Sequence, residues 1–137
     1  MIVADTGALL ALLYADEAHH AEVLAIYDQN PDAWVLPWAV LPEVDYMLRT
    51  RAGPEAAGIF LAELAEGRWA VEWCEDGDFE RAHEFHVRYH SLNLGLVDGV
   101  VMAIAERLRA SAIATLDLRH FGAVKIAGDP KLLPRDA

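Results

Sequence analysis

Four acidic residues stand at similar punctuation points along this chain: Asp5, Glu43, Asp98 and Asp117. Asp5 closes the short apolar run Ile2-Val3-Ala4, and Asp117 follows the apolar stretch 111–116, so each reads as the C-terminal tip of a strand. Glu43 and Asp98 instead sit where apolar helical patterns begin. Any one acid at such a boundary is ordinarily a cap or a turn residue, favoured by free backbone N–H groups and the helix dipole. Four brought together would repel one another and hold their protons more tightly unless a cation neutralised them. With no matching Cys or His cluster, oxygen ligands of this kind select a hard ion, Mg²⁺ or Mn²⁺. Such an ion lowers the pKa of bound water and stabilises charge on a scissile phosphate.

The elements needed to gather these acids can be read from the apolar periodicity. From Asp98 onward, Val101, Met102, Ile104, Ala105 and Leu108 recur at three- and four-residue steps, with Val97 one turn back, which predicts a helix with one buried face. Residues 1–4 and 34–37 read as buried strands, residues 69–74 alternate like a third, and residues 111–116 form a fourth. Val124-Lys125-Ile126 is expected to be a last edge strand. Helical patterns fill the intervals: residues 8–14, an amphipathic stretch from Asp16 to Asp28, a helix opened by Leu41-Pro42-Glu43, residues 54–65, and Asp76 to Tyr89. Strands alternating with helices imply a mostly parallel sheet covered on both faces, with ligands beyond the C-terminal strand ends. Asp45 is rotated by roughly 200° from Glu43 on a helix, so only one of these two acids can face an inward site.

Length and composition narrow the classes. The 137 residues, 55% of them hydrophobic, suit one domain spanning 1–137, with neither an internal repeat nor a linker. The apolar run from Ala8 to Ala15 is too short to span a bilayer and lacks a basic lead, so no membrane anchor or signal peptide is expected. The single cysteine, Cys74, excludes an internal disulfide and suits a reducing cytoplasm; its apolar strand-like setting predicts burial. A net charge of −11 is unlike the basic surface of ordinary nucleic-acid binders. An acidic chain can act on nucleic acid if bound cations or a local Arg cluster supply positive charge; it also suits a basic protein partner, and net charge alone favours that second possibility.

Taken together, Ile-Val-Ala-Asp-Thr-Gly-Ala-Leu-Leu-Ala-Leu-Leu (2–13), Leu-Pro-Glu-Val (41–44), Leu-Gly-Leu-Val-Asp with Ala-Ile-Ala-Glu-Arg-Leu (94–108) and Ala-Thr-Leu-Asp-Leu-Arg-His-Phe (114–121) resemble PIN-domain proteins of the VapC toxin type. Each fragment alone is weak; the four are in order, at family-like spacing, over essentially the whole chain. The resemblance implies a PIN-like three-layer α/β sandwich in which the acids meet in one cleft. It implies Mg²⁺-dependent endonucleolytic cleavage of RNA, with Mn²⁺ substituting, by the toxin of a toxin–antitoxin pair. A homodimer and a cognate antitoxin partner are implied as well. By position, Asp5, Glu43, Asp98 and Asp117 match the catalytic quartet, with Asp5, Asp98 and Asp117 as metal ligands. Thr6 and Thr115 match the supporting hydroxyls, and Arg119 is the candidate phosphate contact. His120 stands where many relatives carry an acid, which implies a weaker hold on a second ion. Gly99, next to Asp98, weakens its helix by roughly 1 kcal/mol against alanine, and the sequence offers no functional account of it.

Competing readings are weaker. A phosphoacceptor module would need paired acids near the first strand, and Asp5 has no acidic neighbour before Asp16. A catalytically silent PIN scaffold that only binds a partner gains nothing from four repelling acids. His83, His86 and His90 share a helix face, but solvated histidines explain them better than zinc. Core packing is expected of Trp34, Trp38, Trp69 and Trp73 in preference to base stacking, and Arg49 and Arg51 suit the C-terminus of their helix.

Overall fold

A computed structural model describes all residues 1–137. Its five strands are β1 (Ile2–Ala4), β2 (Trp34–Pro37), β3 (Ala70–Glu72), β4 (Ala112–Ala114) and β5 (Lys131–Leu133). Seven helices connect them: α1 (Thr6–Leu13), α2 (His20–Gln29), α3 (Val40–Arg51), α4 (Pro54–Ala65), α5 (Asp78–Arg88), α6 (Leu96–Arg107) and α7 (Leu118–Phe121). All strand pairs are parallel, in the order β3-β2-β1-β4-β5. A parallel sheet covered on both faces has no polar side, which is why β1, β2 and β4 read as unbroken apolar runs and not as alternations. Val3, Leu36 and Ile113 of these strands are fully enclosed, together with Leu9, Leu10 and Ala11 of α1 and Val101, Met102 and Ile104 of α6.

The chain runs outward from β1 to β3 on one side, then crosses back through α5 and α6 to place β4 against the other side of β1. This reversal leaves a crevice beyond the C-terminal ends of β1 and β4, the usual ligand position in an open parallel sheet. Asp5 follows β1 directly, and Thr115 and Asp117 follow β4. The α6 helix packs on β1 and β2. That places Asp98, in its first turn, beside the crevice.

Gly99 acquires a structural reason here. A Cβ on Gly99 would lie 2.9 Å from the Ala82 Cβ and 3.2 Å from its Cα, so glycine is what lets α5 close on α6. The same helix pair is tied by charge. Arg107 donates to both carboxylate oxygens of the buried Asp78, at 2.9 and 3.0 Å, and to Glu72 at 2.8 Å. Arg81 of α5 reaches Glu106 of α6 at 2.6 and 3.0 Å.

Four sequence expectations fail. The last strand is Lys131–Leu133, paired with β4, and not residues 124–126. Val124 and Ile126 are buried as loop residues, and the Lys125 N–H between them donates to the Tyr89 hydroxyl at 3.0 Å instead of to a neighbouring strand. Cys74 is exposed, because β3 is an edge strand that ends at Glu72. For the same reason Trp73, expected in the core, is 67% exposed, whereas Trp34 is buried against Tyr27, and Trp69 packs on Tyr27 and Phe60. The second helix begins at His20, four residues later than the amphipathic stretch expected from Asp16. The preceding Glu17 is drawn to Arg51 at 2.8 Å, and the His20 ring bonds the Ala11 carbonyl at 2.7 Å.

Candidate active site

Asp5 is 6% exposed, and its backbone is fixed in the sheet crevice by N–H donation to the Ala114 carbonyl at 2.8 Å. Its side chain accepts from the Thr115 hydroxyl at 3.1 Å, and that hydroxyl in turn accepts the Asp117 backbone N–H at 3.1 Å. Thr115 thereby couples the ends of β1 and β4. Burial raises the Asp5 carboxyl to about 6, and the charges of Asp98 and Asp117 add to the rise. The Thr6 N–H and the Thr115 hydroxyl oppose it without cancelling it.

Asp98 lies in the first turn of α6, yet its side chain makes no capping hydrogen bond. Its carboxylate points instead at His120, with Oδ2 3.1 Å from the ring Nδ1. The position is therefore not explained by helix capping. Burial raises the Asp98 carboxyl above its ordinary value; His120 opposes the rise, while Asp117 and Glu43 add to it. Asp117 does cap α7, accepting the His120 backbone N–H at 3.1 Å, and its other oxygen lies 2.9 Å from the same Nδ1.

His120 is thus more than a missing acid. Its Nδ1 is enclosed at short distance from two carboxylates, but neither contact is aligned as a hydrogen bond. Ligand atoms of Asp98, Asp117 and His120 all lie within 4.8 Å of one another. The sequence signal for it was its place three residues after Asp117, on the same face of a helical turn.

The remaining sequence candidates fall at different distances from this centre. Glu43 sits exposed in the first turn of α3, near enough for its charge to act on Asp98 but outside the three-residue group. Asp45 faces elsewhere, pairing with Arg49 at 3.3 Å. Thr6 is buried, and its hydroxyl has no hydrogen-bond partner. Arg119 is exposed on α7 and carries no ion pair, whereas Arg49 and Arg51 are occupied by Asp45 and Glu17. His83, His86 and His90 do not form a metal-binding group; the His86 ring bonds the Leu94 carbonyl at 3.1 Å.

The donor set suits a divalent cation. Two carboxyls with raised pKa face a third, an orphaned hydroxyl lies beside Asp5, and an imidazole nitrogen is held without an aligned partner. A cation would relieve each of these at once. The imidazole extends the range of acceptable ions beyond the strictly oxygen-seeking ones.

The sequence model of the family described as PIN domain matches residues 2–126. Ribonuclease VapC26 of Mycobacterium tuberculosis is 37% identical over 127 residues, 93% of this chain and 94% of that protein. Among solved structures, VapC20 of Mycobacterium tuberculosis, described as a sarcin-ricin loop cleaving toxin, superposes with a TM-score of 0.80 at 24% identity, covering 90% of this chain and 95% of that one. The DNA-bound VapBC complex from Salmonella typhimurium matches at a TM-score of 0.69 and 17% identity, over 96% of this chain and 97% of that one.

Proposed function

The chain belongs to the PIN domain family, and we propose that it is a metal-dependent endoribonuclease, the toxin of a toxin–antitoxin pair. The observation that carries this reading is the convergence of Asp98, Asp117 and His120 ligand atoms at the crevice where the buried Asp5 waits behind Thr115. Its relationship to a protein named as a ribonuclease supplies the substrate class.

Asp5, Asp98 and Asp117 would hold Mg²⁺ or Mn²⁺, with His120 beside them. When bound, the ion activates water for attack and neutralises charge on the phosphodiester. Thr115 keeps Asp5 oriented and ties it to the Asp117 backbone, so the carboxylates are placed before substrate arrives. Glu43, on the exposed rim, is positioned to accept a proton from water at the mouth of the crevice. Thr6 offers its unpartnered hydroxyl to a water in the same space. Arg119, unpaired and two residues beyond Asp117 in sequence, contacts the RNA phosphate.

No helix of the structure is long and apolar enough to cross a membrane. We place the protein in the cytoplasm, as a homodimer held by an antitoxin. Two apolar depressions supply surfaces for these partners. One lies between α1, α3 and α4, lined by Leu13, Leu48, Ile59 and Phe60; the other lies between α5 and the start of α6, lined by Phe79, Leu94 and Leu96.

The test is direct. Purified protein should cut structured RNA in Mg²⁺ or Mn²⁺, and excess chelator should abolish cutting. Cleavage indifferent to chelator would dismiss the metal site; partner binding without any cleavage would leave a silent scaffold.

A further inference from the structure

We infer that the cavity beyond the ends of β4 and β5 seats one base of the RNA beside the scissile phosphate, and that Glu22 selects bases carrying an exocyclic amine. This rests on the ribonuclease reading above. The cavity holds about 350 Å³, within the range of small-ligand sites (about 300–1,000 Å³). Thr115 forms part of its wall, and the same residue donates to Asp5. None of the other large cavities is lined by Thr115 or by an acid of the cluster. An RNA with its phosphate at the acids therefore lays a neighbouring nucleotide over this space.

The lining suits a base better than a second phosphate. Its one guanidinium is already balanced, since Arg135 contacts Asp136 at 2.7 and 2.9 Å, and the His19 ring lies 3.2 Å from Glu22. Asp136 is itself pinned by the Leu132 N–H at 2.8 Å, so the Arg135 guanidinium is a fixed planar surface and not a free charge. Leu116, Leu118 and Pro134 complete an apolar wall, and Leu118 is 41% exposed on a helix of one turn. A flat group against apolar carbon and a guanidinium plane is the usual setting for a stacked base. At the edge, the Glu22 carboxylate can only accept while ionised, so it pairs with the amino group of cytosine, adenine or guanine and finds no donor on the exocyclic positions of uracil.

Two measurements on the full chain test this. In the first, fluorescence anisotropy in Ca²⁺ compares short RNAs that each lack one base. One abasic position should weaken binding by roughly fivefold to a hundredfold in the wild type, the worth of one stacked base. That penalty should shrink severalfold in Arg135→Ala. In the second, cleavage of a random RNA pool in Mn²⁺ is sequenced. Glu22→Gln should still cut, but with its preference against uracil relaxed at one position flanking the cut. RNA cut normally, with no abasic penalty in the wild type and an unchanged base profile in Glu22→Gln, overturns the base seat and leaves the nuclease standing. An abasic penalty that depends on Arg135 in a chain that never cuts overturns the nuclease and keeps the seat.

Discussion

Asp98 separates a cap from a ligand better than any other side chain here, because it occupies a helix first turn without bonding any backbone N–H. Asp98→Asn removes one charge from a mutually repelling set. The metal-free variant should therefore melt no lower than wild type, gain far less from added Mn²⁺, and lose RNA cleavage by orders of magnitude. Asp45→Asn, on the other face of α3 and paired with Arg49, is the control; identical melting and cleavage in the two variants would dissolve the site. Asp5 supplies a pH dependence. Its folded pKa, about 6, lies above the ordinary 3.8, so the fold carries a cost for ionising it. That cost, roughly 3 kcal/mol, is absent below pH ~4, grows as pH rises through 6 and is complete above it. Without metal, wild type should thus gain stability relative to Asp5→Asn as pH falls from 8 to 4; a parallel pair of melting curves would contradict the burial. Since ligands must lose their protons to bind, metal affinity measured by calorimetry should fall below pH ~6. His120 sets the choice of ion. His120→Asp replaces nitrogen by oxygen and should move calorimetric affinity from Mn²⁺ toward Mg²⁺. An unchanged ratio would remove His120 from the coordination sphere.

At the scale of elements, the pieces that the sequence made legible are those buried in the middle of the fold. The apolar stripe of α6, the Leu-rich α1 and the unbroken apolar β1 and β4 follow from burial on both faces of a parallel sheet, and they carry Asp5, Asp98 and Asp117 with them. Three-residue strands at the sheet edges, β3 and β5, are different. An edge strand of that length has no periodicity to read, so Val124 and Ile126, apolar because they plug the core from a loop, look more strand-like than the true Lys131–Leu133. Cys74 and Trp73 mislead for a related reason, as their apolar run outlasts the pairing partner that would have buried it. His120 was visible as a residue but not as a contact, because its meeting with Asp98 joins two helices distant in sequence. Gly99 was legible only as a cost to α6, and the benefit belongs to a different helix. Gly99→Ala should therefore destabilise by about 1–3 kcal/mol through overpacking on Ala82, despite up to ~1 kcal/mol of recovered helix propensity. Gly58, inside α4 with open space around it, is the counterpart: Gly58→Ala should stabilise by roughly 0.5–1 kcal/mol. Chemical denaturation would read both, and shifts of the same sign would refute the packing argument.

For the whole molecule the governing quantity is charge. The chain carries −11. Of its eleven cationic residues, Arg49, Arg51, Arg68, Arg81, Arg107 and Arg135 are already held by acids. Arg88, Arg109, Arg119, Lys125 and Lys131 are left, and of these Arg119 is next but one in sequence to Asp117. A protein so built cannot draw RNA by releasing counterions from many phosphates. The contrast with basic binders is quantitative: six to ten phosphate contacts cost about 10³–10⁵ in affinity between 50 and 200 mM salt. Here one or two phosphate contacts predict a loss of under about tenfold over that range, measured in Ca²⁺ by anisotropy at fixed divalent concentration. Lowering the divalent concentration instead should weaken binding sharply, because the bound cations supply the missing positive charge. The antitoxin should behave the opposite way. A basic inhibitory segment entering the acidic crevice would lose affinity steeply with NaCl and compete with Mn²⁺, since both neutralise the same carboxylates. A steep NaCl dependence for RNA would mean a hidden basic track and a different route for the substrate. A flat one for the antitoxin would mean that it grips the apolar depressions and leaves the acids alone.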